Sequence, residues 1–269
     1  MPFLATAGAE LFYTDSAPGS GHAPLVFVHG WTCDSHDWSW QLAELGRRRR
    51  VVAVDLRGHG RSSVPATGYT LGDYAGDVRA LLAHLDGAPA VLVGHSMGAL
   101  VSSVLVDQDG DDRVAALVVI DPPYDLDAAA TATAADFARR VAAPDGVRAA
   151  YDWLAAADAD ATPRWLATWH RRRILAMPHH VLSQTVAAVH DDPTSIANFP
   201  HTRRLWARRT LPTLVLVVDP AHAERERAYF TDPRSRAVAY PGAGHWLHQE
   251  RADEVNAELT DWLDVLGAA

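Results

Sequence analysis

Five short apolar runs constrain this chain more than any other feature: Pro24–Val28, Val51–Val54, Ala90–Val93, Val114–Ile120 and a run from Thr213 to Asp219. They show almost no polar alternation, which is the pattern of parallel strands covered on both faces. Helical periodicity fills the gaps, clearest over Leu71–Leu85 and Met97–Val106, and a last helix is expected over Ala252–Leu266. Strand and helix in alternation predict a doubly wound α/β sheet. A further strand is expected near Ala237–Tyr240, and Phe3–Ala5 with Glu10–Thr14 reads as an antiparallel hairpin at the sheet edge. One stretch breaks the alternation. From Pro122 to Arg209 the chain is Ala-rich and helical, carries Trp153, Trp165, Trp169 and Trp206, and is interrupted by five prolines. It reads as several short helices inserted between two strands, the placing of a lid over a site. The expected division is a core of residues 1–121 and 210–269 with a helical cap of residues 122–209.

Composition narrows the function. With 269 residues and 48% hydrophobic content the chain can bury a large core. Its net charge of −9 argues against nucleic-acid or anionic-membrane partners. Every basic residue is arginine, so neither a Schiff-base lysine nor a P-loop lysine exists. The single cysteine, Cys33, forms no internal disulfide or zinc cluster. Met1–Glu10 lacks the basic start and apolar run of a signal peptide, and no segment reaches membrane-spanning length. The expectation is a cytoplasmic protein that acts on a small molecule without a metal or cofactor. Homo-oligomerisation is left open.

The chemistry is concentrated in three motifs. Gly94-His95-Ser96-Met97-Gly98 sits between an apolar strand and a helix. Two glycines allow a sharp turn that throws Ser96 clear of the sheet, while the Met97 amide at the helix start can hold a developing oxyanion. Gly242-Ala243-Gly244-His245 follows a late strand, and a serine nucleophile needs such a base. His29-Gly30-Trp31 closes the first parallel strand and offers the Trp31 amide as the second oxyanion donor. His29 itself reads as structural.

With these motifs and Asp55-Leu-Arg-Gly-His-Gly-Arg61-Ser62, the chain resembles the α/β-hydrolase family over almost its whole length. The resemblance implies a mainly parallel eight-stranded sheet with a cap inserted after the sixth strand, and it makes the Asp55–Ser62 loop scaffold. It leaves the acid of the triad in question. Most relatives place an Asp a few residues past the strand that ends here at Val218, in a Gly-x-x-Asp loop; this chain reads Val218-Asp219-Pro220-Ala221-His222. Asp121, directly after the preceding strand, is the preferred substitute, as in zearalenone lactonases and cofactor-free quinolone dioxygenases, with Asp219 the alternative. Either would fix the His245 tautomer.

Trp31, Trp153, Trp165 and Trp169 are the candidate lining of an apolar substrate pocket. The leading expectation is a serine hydrolase that cleaves a carboxylic ester or lactone of a small apolar or aromatic substrate through an acyl-enzyme. The alternatives are a cofactor-independent dioxygenase acting on an aromatic heterocycle and an acyltransferase using the same triad. A non-catalytic binding module is a further reading.

Overall fold

The computed structural model describes residues 3–16, 22–85, 89–109, 112–160 and 162–267. Eight strands form one sheet: β1 (Phe3–Ala5), β2 (Glu10–Asp15), β3 (Leu25–Val28), β4 (Val51–Val54), β5 (Ala90–His95), β6 (Val114–Ile120), β7 (Thr213–Val217) and β8 (Arg236–Ala239). Their spatial order is β1-β2-β4-β3-β5-β6-β7-β8. Neighbours from β4 to β8 run parallel, while β1 and β2 form the antiparallel edge that the sequence suggested.

The lack of alternation in the apolar runs has a direct cause. Side chains point alternately to the two faces of a strand, and here both faces are covered. Val26, Val28, Leu92, Val119 and Val215 belong to one buried cluster, and Leu25, Phe27, Val93, Val118 and Leu214 to the other. The second face is closed by α1 (Ser39–Leu45) and by α11 (Ala252–Gly267), whose Leu259, Trp262 and Leu263 are buried. On the first face lie α2 (Leu71–His84) and α3 (Met97–Asp109). Each fully buried Val or Leu contributes about 1.5–3 kcal/mol, so a charge introduced at Val93 or Val118 would cost more than the sheet can spare. A capping box starts α2: the Thr70 hydroxyl accepts from the Asp73 amide and the Asp73 carboxylate accepts from the Thr70 amide.

Between β6 and β7 come five helices, α4 (Ala128–Ala142), α5 (Gly146–Ala157), α6 (Arg164–Ala176), α7 (His179–His190) and α8 (His201–Arg208). The prolines of this stretch mark its joints. Pro163, Pro178 and Pro200 stand immediately before α6, α7 and α8, where a missing amide hydrogen costs nothing. The Asp127 carboxylate caps α4 by accepting from the Ala129 and Ala130 amides at 2.9 and 2.8 Å. After β7 comes α9 (Pro220–Arg227), and after β8 the short α10 (Leu247–Glu250).

Candidate active site

Ser96 occupies the turn from β5 into α3 with a φ of 51°, in the left-handed region that a residue with a Cβ rarely adopts. The turn is held because the Ser96 amide donates to the Ile120 carbonyl at 2.9 Å. Its two glycines are sterically required. A Cβ on Gly94 would fall 2.5 Å from the Gly98 carbonyl oxygen, and one on Gly98 would run into the Val28 and His29 carbonyls. The Met97 amide opens α3, and the Trp31 amide follows β3; neither donates to another described residue. A helix start of this kind favours negative charge.

His245 lies on the loop after β8, in a chain that turns at Gly242 with a φ of 83°. Its Nδ1 donates to Asp121 Oδ2 at 2.6 Å. Asp121 is also held in the left-handed region, with a φ of 43°. Its backbone amide donates to Leu216 O at 2.8 Å, and its Oδ1 accepts the Val218 amide at 3.1 Å. Both carboxylate oxygens are thus engaged, one by the amide just past β7 and one by the imidazole. Asp219 has a different task. Its carboxylate caps α9 by accepting from the Ala221 amide at 2.9 Å, lies 3.8 Å from Arg225, and is 54% exposed. The structure brings Asp121, not Asp219, to His245.

Ser96, Met97, Trp31 and His245 share the wall of one cavity of about 370 Å³. The remaining wall comes from the β6–α4 connection (Pro123, Leu126), from α4 (including Phe137), from Trp153 of α5 and from α7. Trp31, Phe137 and Trp153 pack against one another, with ring centroids 5.5–5.8 Å apart. Two of the four tryptophans expected in the pocket are therefore there. Trp165 and Trp169 do not line it: they sit on the outer face of α6, 53% and 42% exposed, against Trp40 and His36. The reason is helical phase, since α6 buries Leu166, Ala167, His170 and Ile174 and turns positions 165 and 169 outward. A larger recess of about 640 Å³, lined by Ser103, Leu205, Arg208 and Asp232 among others, contains none of the three motifs.

Behind the cavity the charge is carefully contained. His95 is buried; its Nε2–H donates to the His245 carbonyl at 2.9 Å, and a Cβ placed on Gly30 would lie 3.0 Å from its Nδ1. One ring thus touches the loops that carry Ser96, Trp31 and His245. Burial lowers its pKa well below the usual histidine value, and the neighbouring His248 and His245 push the same way. Burial also takes His248 down to about 3 and His170 to about 4. For Asp37, burial alone would raise the carboxyl, but its ion pair with Arg173 outweighs it and holds the pKa at about 2. The Cys33 thiol is raised by burial, and the Trp246 indole donates to its sulfur at 3.5 Å, so it is a packed side chain rather than a nucleophile.

His29 commits both ring nitrogens to the backbone, donating to Gly30 O and accepting the Leu56 amide. Buried Asp55 accepts from the Ser35 and Arg61 amides and pins two loops together, as a scaffold residue would. Among the described residues no group of His, Cys, Asp and Glu is arranged to hold a metal ion, and no helix is long and apolar enough to cross a membrane. Sequence reasoning missed the contribution of α4 to the cavity, because nothing in an Ala-rich helix marks which face meets a pocket; on α7 it weighed His179, His180 and His190 as substrate contacts, and of these His190 lines the cavity. It also passed over His95, although its place directly before Ser96 was a signal.

The sheet order, the strained turn after β5 and the helices inserted after β6 define an α/β hydrolase. The chain belongs to the alpha/beta hydrolase family, whose sequence model matches residues 25–258. A non-heme haloperoxidase of Rhodococcus erythropolis is 32% identical over 289 aligned residues, covering 98% of this chain and all of that protein. A thermophilic esterase from Thermogutta terrifontis superimposes with a TM-score of 0.81 at 27% identity, covering 98% of this chain and 97% of that one. The enol-lactonase of Burkholderia xenovorans LB400 shares the fold, with a TM-score of 0.81 at 24% identity over 98% of this chain and 100% of that one. The esterase among these relatives supports a hydrolase.

Proposed function

We propose that the protein is a serine hydrolase that cleaves a carboxylic ester or lactone of a small apolar or aromatic substrate. The observation that carries this reading is the 2.6 Å contact between His245 and Asp121 beside a cavity that also holds the strained Ser96. Ser96 Oγ attacks the carbonyl carbon while His245 Nε2 takes its proton. The Trp31 and Met97 amides hold the oxyanion, which forms only as the carbonyl becomes tetrahedral. His245 then protonates the leaving alcohol, and the acyl-enzyme is released by water that His245 deprotonates. Asp121 keeps Nδ1 protonated and Nε2 free, and balances the imidazolium that forms. Residues 122–209 act as the cap, with Phe137 and Trp153 closing an apolar room against Trp31. Acyl transfer differs only in the alcohol or amine that replaces water.

The experiment is acid release from aryl esters, alkyl esters and aromatic lactones, with wild type and Ser96→Ala run side by side. Turnover that vanishes in the variant is the expected result. Turnover that survives it overturns the serine mechanism; folded protein that hydrolyses nothing yet consumes oxygen with an aromatic heterocycle overturns the reading in favour of the dioxygenase.

A further inference from the structure

Three histidines on α7 have different surroundings. His179 bonds through Nε2 to the Val141 carbonyl at 2.9 Å, and His180 through Nε2 to the Pro65 carbonyl at 3.1 Å. His190, at the last turn of α7, lines the cavity that holds Ser96 and His245. Its Nδ1 is sealed from solvent with no hydrogen-bond partner among the described residues. That leaves Nε2 as the ring nitrogen open to a ligand. Burial presses its pKa down to about 4, so the ring is neutral at pH 7.

The rest of the wall sharpens the question. Among the described residues, the polar groups of the wall besides Ser96, His245 and His190 are the indole N–H groups of Trp31 and Trp153 and the hydroxyl of Thr133; the Trp31 Nε1–H is sealed from solvent, and the Thr133 hydroxyl already donates to Ala129 O at 3.0 Å. Among the described residues no Arg, Asp or Glu lines the cavity. A charged substituent would be desolvated there without a counter-charge, which is costly. A neutral imidazole has one N–H and one bare nitrogen, and which faces the cavity depends on the tautomer. A hydroxyl satisfies either tautomer, because it both donates and accepts.

Resting on the serine-hydrolase reading, we propose that His190 is the recognition point for a neutral hydroxyl carried by the substrate apart from its reacting carbonyl. The substrate class is then a hydroxylated aromatic or alicyclic ester or lactone, with neither carboxylate nor amine. Three-dimensional fit comes from Trp31, Phe137 and Trp153, and the hydroxyl supplies orientation, the usual division of labour in an apolar pocket.

The test is a ladder of methyl esters in matched pairs, with and without a terminal hydroxyl. It starts at 3-phenylpropanoate and 3-(4-hydroxyphenyl)propanoate and continues through longer and shorter linkers. Wild type, His190→Leu and His190→Gln are compared by the ratio of kcat/KM within each pair, so a partial loss of folded protein cancels. At the best reach the wild type should favour the hydroxylated ester by about 10-fold, the worth of one good buried hydrogen bond. His190→Leu should bring that ratio near one, and His190→Gln, still a donor and an acceptor, should keep part of it. A flat ratio at every reach in the wild type, or an unchanged ratio in His190→Leu, overturns the inference. Should His190→Leu not fold, the wild-type ladder and His190→Gln decide. Failure of the underlying reading looks different: the unsubstituted esters are not turned over and a fluorophosphonate does not label Ser96. Normal turnover and labelling with flat ratios removes the role of His190 alone.

Discussion

β6 and β7 are adjacent parallel strands, and each is followed at once or within two residues by an aspartate. Their fates differ completely. After β6 the backbone twists into the left-handed region at Asp121 and presents the carboxylate to His245. After β7 the chain instead enters a helix directly, and Asp219 spends its carboxylate on the first turn of α9. A loop long enough to return over the sheet would be needed for an acid there to reach the histidine, and Pro220 at the helix start forecloses it. The position of an acid along the chain says less than the geometry of the turn that carries it.

The largest expected effect tests that contrast directly. Asp121→Asn should lower kcat by about 10⁴-fold, because the His245 tautomer is no longer enforced, while Asp219→Asn should stay within about 2-fold of wild type. Steady-state kinetics on one ester decides it, and the reverse ranking would make Asp219 the acid. Next in size is acid lability, which both variants should share. His59, His170 and His248 have folded-state pKa values of about 3, 4 and 3, below the unfolded value near 6.5. Above pH 6.5 they are neutral in both states; below it the unfolded chain binds protons that the folded chain refuses. Stability should therefore fall as pH drops from 6.5 toward 4, by up to about 1.4 kcal/mol per histidine per pH unit. Denaturant midpoints measured at half-unit intervals would show the slope, and a flat profile would mean these rings are hydrated.

A smaller effect is expected at His95. His95→Phe removes the hydrogen bond to the His245 carbonyl and should lower kcat by about 10-fold with KM nearly unchanged. His95→Gln should recover part of it, and equal losses in kcat and KM would point to general disruption instead. The smallest concerns the other strand end. Asp219→Ala should cost about 1 kcal/mol of stability, as a lost helix cap does, with activity unaltered; thermal melts and rates on the same samples check both halves.

Much of this was legible in the residues. The apolar runs identified β3 to β7 because burial on both faces leaves no room for polar alternation. Ser96 and His245 were legible because glycines on either side of a strand end have few other uses. The aspartate was half legible: Asp121 could be named, but the left-handed backbone that aims it depends on contacts with β7 that arise only on folding. The tryptophans of the insertion were misjudged at 165 and 169. Four tryptophans in helical segments say that faces are apolar, and not which face meets the cavity, and here Phe137, Val186 and Val189 took that place. α9 was hidden because its cap, Asp219, read as the end of a strand.

Cys33 has a practical consequence. It is the chain's single cysteine, and it lies buried with its thiol pKa raised. A cysteine introduced at exposed Thr133, on the α4 side of the cavity, would be the one thiol that a dye or spin label meets first. The native protein thus needs no prior removal of side chains before spectroscopy can follow whether the insertion shifts over Ser96 when an ester binds.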